Sequence, residues 1–379
     1  MIIAIDGSNS ISGGAVVYLI NLLKYAEPEK CGIKKVLLYG YKKLLENIED
    51  RQWLEKIYEP ELDNGISSRL KWLWVKFPKL VRKSNLVFFA AANYTKIDPP
   101  FVSLCHNILP FANLGEIYRF SHLSLINKYR RVLQTRCFGN SKGVIFLSNY
   151  AKNIVLKKLK KTPKHIEVIP HGMPERFFNY PKRQKDISKY TNENPFRFLY
   201  ISAIASYKYQ WNVIKAFYIL FKKRFPVHVD FIGPVYENSA YKILMRTLKE
   251  YDPIGHFAKY IGTIPYNKIH GIYKNYDACI FASVYETFGV PLLEAMGSGL
   301  PIASSDFELT REILDDNAVY FDSKKPESIA EAVVKLIEDK KLREKIAWSN
   351  FEKAKKYTWN KCADRTFKFF KLVYDKLAI

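Results

Sequence analysis

No apolar run in this chain approaches the roughly 18 to 20 residues that span a bilayer. The start, MIIAIDGSNSISGG, has no basic segment ahead of its apolar one. It meets an acid at Asp6 and breaks on glycines, which marks a first buried strand rather than a secretory signal. Cysteine is sparse: Cys31, Cys105, Cys137, Cys279 and Cys362 are odd in number, scattered and never spaced as CxxC. A reduced, cytoplasmic chain without a structural zinc is the simplest expectation. Low-complexity tracts are lacking too, and 48% hydrophobic residues are too many for a disordered chain. Acids are what the first half lacks most. Between residues 66 and 166 there are 19 Lys plus Arg and two acids, Asp98 and Glu116, so this stretch carries most of the net +23. Such a field attracts anionic lipid, nucleic acid or a phosphorylated substrate. No zinc-finger spacing, RNP aromatic motif or basic helix running into heptads accompanies it, and no nucleic-acid partner is expected.

A chain of 379 residues is long enough for about two domains. In the first half the runs MIIAI, KKVLLYG, NLVFFA, FVSLCH and GVIFLS alternate with longer amphipathic segments, the pattern of a parallel, doubly wound sheet. The polar stretch NYPKRQKDISKYTNENP has no apolar period and reads as a linker. The alternation then restarts with FRFLYISAI, VHVDFIGP, FAKYIGT, DACIFAS, LPIASS and AVYFD. The expected organisation is a first domain over 1–175, a linker over 176–195, a second domain over 196–356 and a last helix over 357–379. Two such α/β sheets in tandem leave a cleft between them, and ligands bind beyond the C-terminal ends of the strands.

The stretch SVYETFGVPLLEAMGSGLPIASSD reads as a strand end, a glycine turn, a short helix opened by Pro291 and a stop at Gly297 or Gly299. The unpaired N–H groups near Gly289 and Val290 suit a phosphate. Glu294 is the only charge on an otherwise core-like helix. Burying its carboxylate without donors costs several kcal/mol; a vicinal diol such as ribose would supply two, and a basic residue of the core is the plainer alternative. Glu286 stands just before the turn.

Glu286, seven residues, then Glu294, with FG.P between and EAMGSGLP after, resembles the signature of the retaining glycosyltransferases of family 4, also called glycosyl transferases group 1. IEVIPHGM followed by RFF, YIGTIPYNKIHGIYKNYDACIFAS and SGG followed by VYLINLL extend the resemblance over nearly the whole chain. It implies the GT-B fold: two facing Rossmann-like domains with a deep interdomain cleft, and a C-terminal helix packing back toward the first domain. It implies transfer of a sugar from a UDP- or GDP-linked donor to a glycan or lipid-linked acceptor, without metal or cofactor, in surface polysaccharide biosynthesis. Residue by residue, Glu294 would hold the ribose and Glu286 the donor sugar, with Phe288, Gly289 and Val290 along the donor. Gly13 and Gly14 would border the diphosphate and the acceptor, and His106, just beyond FVSLC, would contact the sugar. The base would lie near Gly233, Thr263 and Ile264. One departure matters. Where many members have Gly-Arg after the strand FLYI, this chain has Ser202 and Ala203, leaving Lys208 as the main cation for the leaving diphosphate.

Several residues have simpler readings. The glycines near residue 13 make neither a Walker loop nor GxGxxG, and a bare turn would explain them. A lone His is more often structural, and Lys208 could be a solvated loop lysine. Ser148 and Asn149 are explained by helix capping. SRLKWLWVKFPKLVRK interleaves Trp72, Trp74 and Phe77 with Lys71, Lys76, Lys79, Arg82 and Lys83. It could lie on an anionic membrane surface or pack against the first sheet. A GT-B epimerase or phosphorylase is the nearest alternative activity.

Overall fold

The computed structural model describes residues 1–11, 13–92, 94–113 and 122–377. The chain divides into two compact units, Met1–Gly172 with Tyr357–Ile379, and Met173–Lys356. Ser12 of the first glycine loop and Glu116 of the basic stretch lie outside the described residues. Among the described residues no helix is long and apolar enough to cross a membrane.

The first unit is built on strands β1 (Ile2–Asp6), β2 (Lys35–Gly40), β3 (Leu54–Tyr58), β4 (Leu86–Phe89), β5 (Phe101–Cys105), β6 (Gly143–Phe146) and β7 (His165–Val168). They lie in the order β3-β2-β1-β4-β5-β6-β7, and every pair is parallel. The apolar runs LVFF, FVSLC and GVIF are buried along their whole length, because helices cover both faces of a parallel sheet. The outer strands β3 and β7 are not; both keep half-exposed residues and neither was evident as an apolar run. Helix α1 (Gly14–Lys24) follows β1, and α2 (His122–Asn140) precedes β6. The C-terminal helix Trp359–Asp375 belongs to this unit. Its Phe370 stacks 4.8 Å from Phe88 of β4, and a Cβ at Gly143 would come within 2.8 Å of Val373.

The segment 65–80 is divided between the two readings of its aromatic residues. Trp72 and Phe77 are core, whereas Trp74 and Val75 are exposed. Between the helices Gly65–Lys71 and Phe77–Leu80 the chain widens to a π-type turn over Trp72–Lys76; Pro78, which has no N–H, follows directly. Lys76 is held by Glu59 and Glu61.

The second unit carries all six strands expected of it: β8 (Phe196–Ile201), β9 (Val227–Ile232), β10 (Ala258–Gly262), β11 (Ala278–Phe281), β12 (Ile302–Ser305) and β13 (Val319–Phe321). Their order is β10-β9-β8-β11-β12-β13, again all parallel. Helix α3 (Gln210–Lys222) follows β8, α4 (Tyr266–Tyr273) follows β10 and α5 (Val290–Gly297) follows β11. In each unit the strand order reverses once, at β1/β4 and at β8/β11. Loops leaving neighbouring strands there diverge to opposite faces, which opens a crevice at the strand ends.

Candidate active site

The β8/β11 switch point brings two of the expected residues together. Lys208 lies just past β8 and Glu286 just past β11, and Lys208 Nζ is ion-paired with Glu286 Oε1. The lysine is buried, so it is not a solvated loop residue, and the glutamate is half-buried. The loop around Lys208 is tightly fixed. The buried Tyr200 hydroxyl donates to the Lys208 carbonyl at 2.6 Å, the Tyr207 ring centroid lies 4.9 Å from Nζ, and Val284 N donates to Tyr207 O across the two loops. Tyr209 closes the turn with φ +50°, a left-handed conformation that a non-glycine residue adopts only under local constraint. At the Ser202–Ala203 corner the buried Gln210 supplies a neutral amide. Its Nε2 donates to Ser202 Oγ at 3.1 Å and to Ala203 O at 3.0 Å.

Helix α5 begins after Gly289, whose φ of +78° is the left-handed conformation that glycine adopts without strain. Phe288 beside it is buried and Val290 half-buried. At the other end Gly299, with φ +68°, supplies the left-handed stop. Gly297 is helical and small for another reason, since a Cβ there would meet Met173 Cε at 2.1 Å.

Glu294 is only 3% exposed. Its Oε2 accepts from the Tyr273 hydroxyl at 2.9 Å; Oε1 has no hydrogen-bond partner of ordinary geometry among the described residues, although the Tyr266 hydroxyl also acts on the carboxyl. Burial pushes the carboxyl up to about 7, against weaker opposing effects from Tyr273, Tyr266 and Arg176. Among the described residues no basic side chain is ion-paired with it, the plainer alternative raised above. Arg176 instead stacks over Tyr266, 5.2 Å from its ring centroid. A buried acid with one open acceptor oxygen is half-protonated near neutrality and suited to a neutral ligand that donates hydrogen bonds. Tyr266, Tyr273 and Arg176 did not emerge from the sequence as partners of Glu294. The signal was present, as tyrosines seven apart fall on one face of α4.

Gly233, Thr263 and Ile264 stand at the ends of β9 and β10. A Cβ at Gly233 would lie 2.0 Å from Ser202 O, so close packing of the β8 and β9 ends demands glycine there. Thr263 is exposed and Ile264 half-buried.

In the first unit Gly13 caps α1 with φ 61° and ψ −143°, a combination essentially confined to glycine. A Cβ on Gly13 or Gly14 would meet nothing within 4 Å, so the backbone here is open to an approaching group. His106 follows β5 inside a cluster of rings, 5.1 Å from Tyr18 and 5.6 Å from His171 between centroids. Burial pushes its imidazole down to about 4, so at neutral pH it is an uncharged donor and acceptor. Tyr18, from α1, thereby joins the glycine loop to His106. Ser148 caps Asn149–Leu156 by accepting from Ala151 N at 3.1 Å.

Residues 182–352 match the family model described as Glycosyl transferases group 1, and residues 12–176 that of Glycosyltransferase Family 4. A 115-residue stretch is 27% identical to the O-antigen chain mannosyltransferase B of Escherichia coli. That stretch spans 30% of this chain and 30% of the relative. Sucrose-phosphate synthase from Thermosynechococcus elongatus superposes over 99% of this chain and 100% of its own, with a TM-score of 0.78 at 16% identity. Anabaena HepE in complex with UDP-glucose does so over 100% and 99%, with a TM-score of 0.72 at 18% identity.

Proposed function

The chain belongs to the GT-B glycosyltransferases of the group 1 and family 4 type, and from that premise we propose that it transfers a hexose, with retained anomeric configuration, from a nucleoside diphosphate donor to a growing surface polysaccharide or its lipid-linked precursor. The observation that carries the donor assignment is Glu294, whose open Oε1 fits the donating hydroxyls of a ribose diol. The mannosyltransferase relative favours a mannosyl donor, and the HepE complex a UDP-sugar; both are compatible with a site that holds ribose and diphosphate.

In the front-face reaction the acceptor oxygen attacks the anomeric carbon on the side from which the diphosphate leaves. The bond from carbon to phosphate oxygen breaks, the new glycosidic bond forms, and the leaving oxygen takes the acceptor's proton. Negative charge grows on the diphosphate, where Lys208 and the N–H groups at the start of α5 provide preorganised stabilisation without a metal ion. Neutral His106 donates or accepts a hydrogen bond at the sugar.

Exposed Trp74 and Val75, with Lys71 and Lys79 nearby, suit peripheral attachment to an anionic membrane face. Helix α2 adds exposed Leu125, Tyr129 and Val132 among Lys128, Arg130 and Arg131.

The test is a thermal-shift screen of UDP, GDP and ADP and their sugars, followed by product analysis with the donor that stabilises best. Glycoside with the donor's anomeric configuration is expected. Release of sugar phosphate, or epimerised donor, would replace this reading with a phosphorylase or an epimerase.

A further inference from the structure

The second unit also holds a cavity of about 370 Å³ along one face of β8, β9 and β10, reaching from the C-terminal ends of β9 and β10 to the C-terminal end of α4. Four isoleucines, Ile232, Ile261, Ile264 and Ile272, line the cavity together with the polar Asn275. Arg197, the second residue of β8, lies at the opposite end of that strand from Lys208. Its Nη2 is ion-paired with the buried Asp230 Oδ2 at 2.5 Å, and its guanidinium carbon lies 5.5 Å from the Tyr276 ring centroid.

Asp230 is fully occupied. Oδ2 also accepts from the Tyr276 hydroxyl at 2.9 Å, and His228 Nε2 lies 3.1 Å from Oδ1. Burial pushes its carboxyl up, but His228, Tyr276 and Arg197 outweigh that and hold it below the usual carboxylate range. Asp230 thus acts as an anchor that fixes the plane of Arg197. The guanidinium itself, 45% exposed, keeps the N–H groups of Nε and Nη1 outside this pair, where each can donate a charge-assisted hydrogen bond to a carboxylate or phosphate.

The surroundings carry charge of both signs, with Asp277 Oδ2 accepting from Arg197 N at 2.9 Å. Lys259 is in register with Asp230 and shares its face of the sheet, and Lys182 Nζ lies 3.4 Å from Tyr276 O. A largely apolar hollow of this size with one anchored charged group is how proteins hold small organic ligands.

We infer that this cavity is a second ligand site, for a small organic anion whose carboxylate or phosphate meets Arg197 and whose compact apolar body packs on the isoleucines. The site is independent of the glycosyl-transfer reading. It shares Ile264 with the expected base position, so competition with nucleotide must be tested.

The probe is benzoate, with benzamide as the neutral isostere, titrated by calorimetry or ligand-observed NMR. Benzoate is expected to bind and benzamide to bind roughly tenfold more weakly or worse, since the charge-assisted hydrogen bond is lost. Arg197→Gln should abolish benzoate binding. Because that change leaves Asp230 short of a partner and could unfold the unit, Ile261→Trp is the companion: it fills the hollow from an exposed edge position and should also abolish binding. A mixture of UDP and GDP at saturation should leave the benzoate affinity unchanged. Equal binding of benzamide, no benzoate binding, binding retained in Ile261→Trp, or displacement by the nucleotides would each overturn the inference.

Discussion

Lys208 and Glu286, which leave neighbouring strands at the β8/β11 switch point, are ion-paired with each other. The cation assigned to the leaving diphosphate is thus neutralised by the carboxylate assigned to the donor sugar. A diphosphate arriving there must share the lysine with Glu286. Glu286→Gln is therefore expected to raise affinity for the nucleoside diphosphate while lowering turnover. Lys208→Ala should cost on the order of 100-fold in turnover, comparable to removing one oxyanion donor. Calorimetry and initial rates check both; weaker nucleotide binding by Glu286→Gln would show that the pair acts as a unit instead.

Glu294 should make stability depend on pH. Its folded-state value of about 7 lies above that of an unfolded glutamate, so the folded protein holds this proton more tightly. The resulting stabilisation is complete below about pH 4.3, the unfolded value, and is lost as pH rises through 7. Glu294→Gln is neutral at every pH and should exceed the wild type in stability at pH 8, by on the order of 3 kcal/mol, with the difference closing at pH 5. Chemical unfolding at the two pH values measures this.

The same proton should report on the ligand. Two hydroxyls donating to Glu294 favour its charged form, so nucleotide binding near pH 7 is expected to release a fraction of a proton. Calorimetry in buffers of different ionisation enthalpy reads that release. Glu294→Ala should lose it together with most of the nucleotide affinity; unchanged release would mean that another group titrates.

Two glycines should behave oppositely. A Cβ at Gly172 would lie 2.2 Å from Trp359 N, a backbone contact that cannot swing away, and Gly172→Ala should cost about 3 kcal/mol or more. Gly14→Ala meets nothing within 4 Å and should stay within about 0.5 kcal/mol of the parent in stability. Its turnover should fall, because the open backbone beside α1 is then obstructed. Melting curves and rates on both variants separate these effects.

Binding to anionic but not neutral vesicles at low salt is expected from the exposed basic and aromatic surface of the first unit, with release at high salt. Replacing Lys71, Lys79 and Lys83 with Gln should weaken co-sedimentation. Replacing Lys76 alone should matter less, since Glu59 and Glu61 already neutralise it.

The strands legible in the sequence were those buried on both faces, such as LVFF, GVIF and ACIF, because a continuous apolar run is what such burial requires. LEKIY and HIEV went unseen for the converse reason. They lie at the two margins of the first sheet, where charged residues face water and interrupt the pattern. Glu294 stood out as a lone acid on an apolar helix. The Lys208–Glu286 pair did not, because it depends on elements far apart in the chain: it follows from β8 lying beside β11, a neighbour relation that no local pattern encodes.

Helix Trp359–Asp375 packs on the sheet begun at Ile2, yet the whole of Met173–Lys356 is translated between them. On the ribosome, then, the later unit has all of its own residues while the earlier one still lacks a wall. Until that helix emerges, Phe88 has no Phe370 and Tyr18 no Trp359, and the nascent chain carries exposed apolar surface of the kind that recruits chaperones. A fragment ending at Gly172 would stay in that unfinished condition permanently, whereas Met173–Lys356 has no such debt to a distant segment for its own sheet.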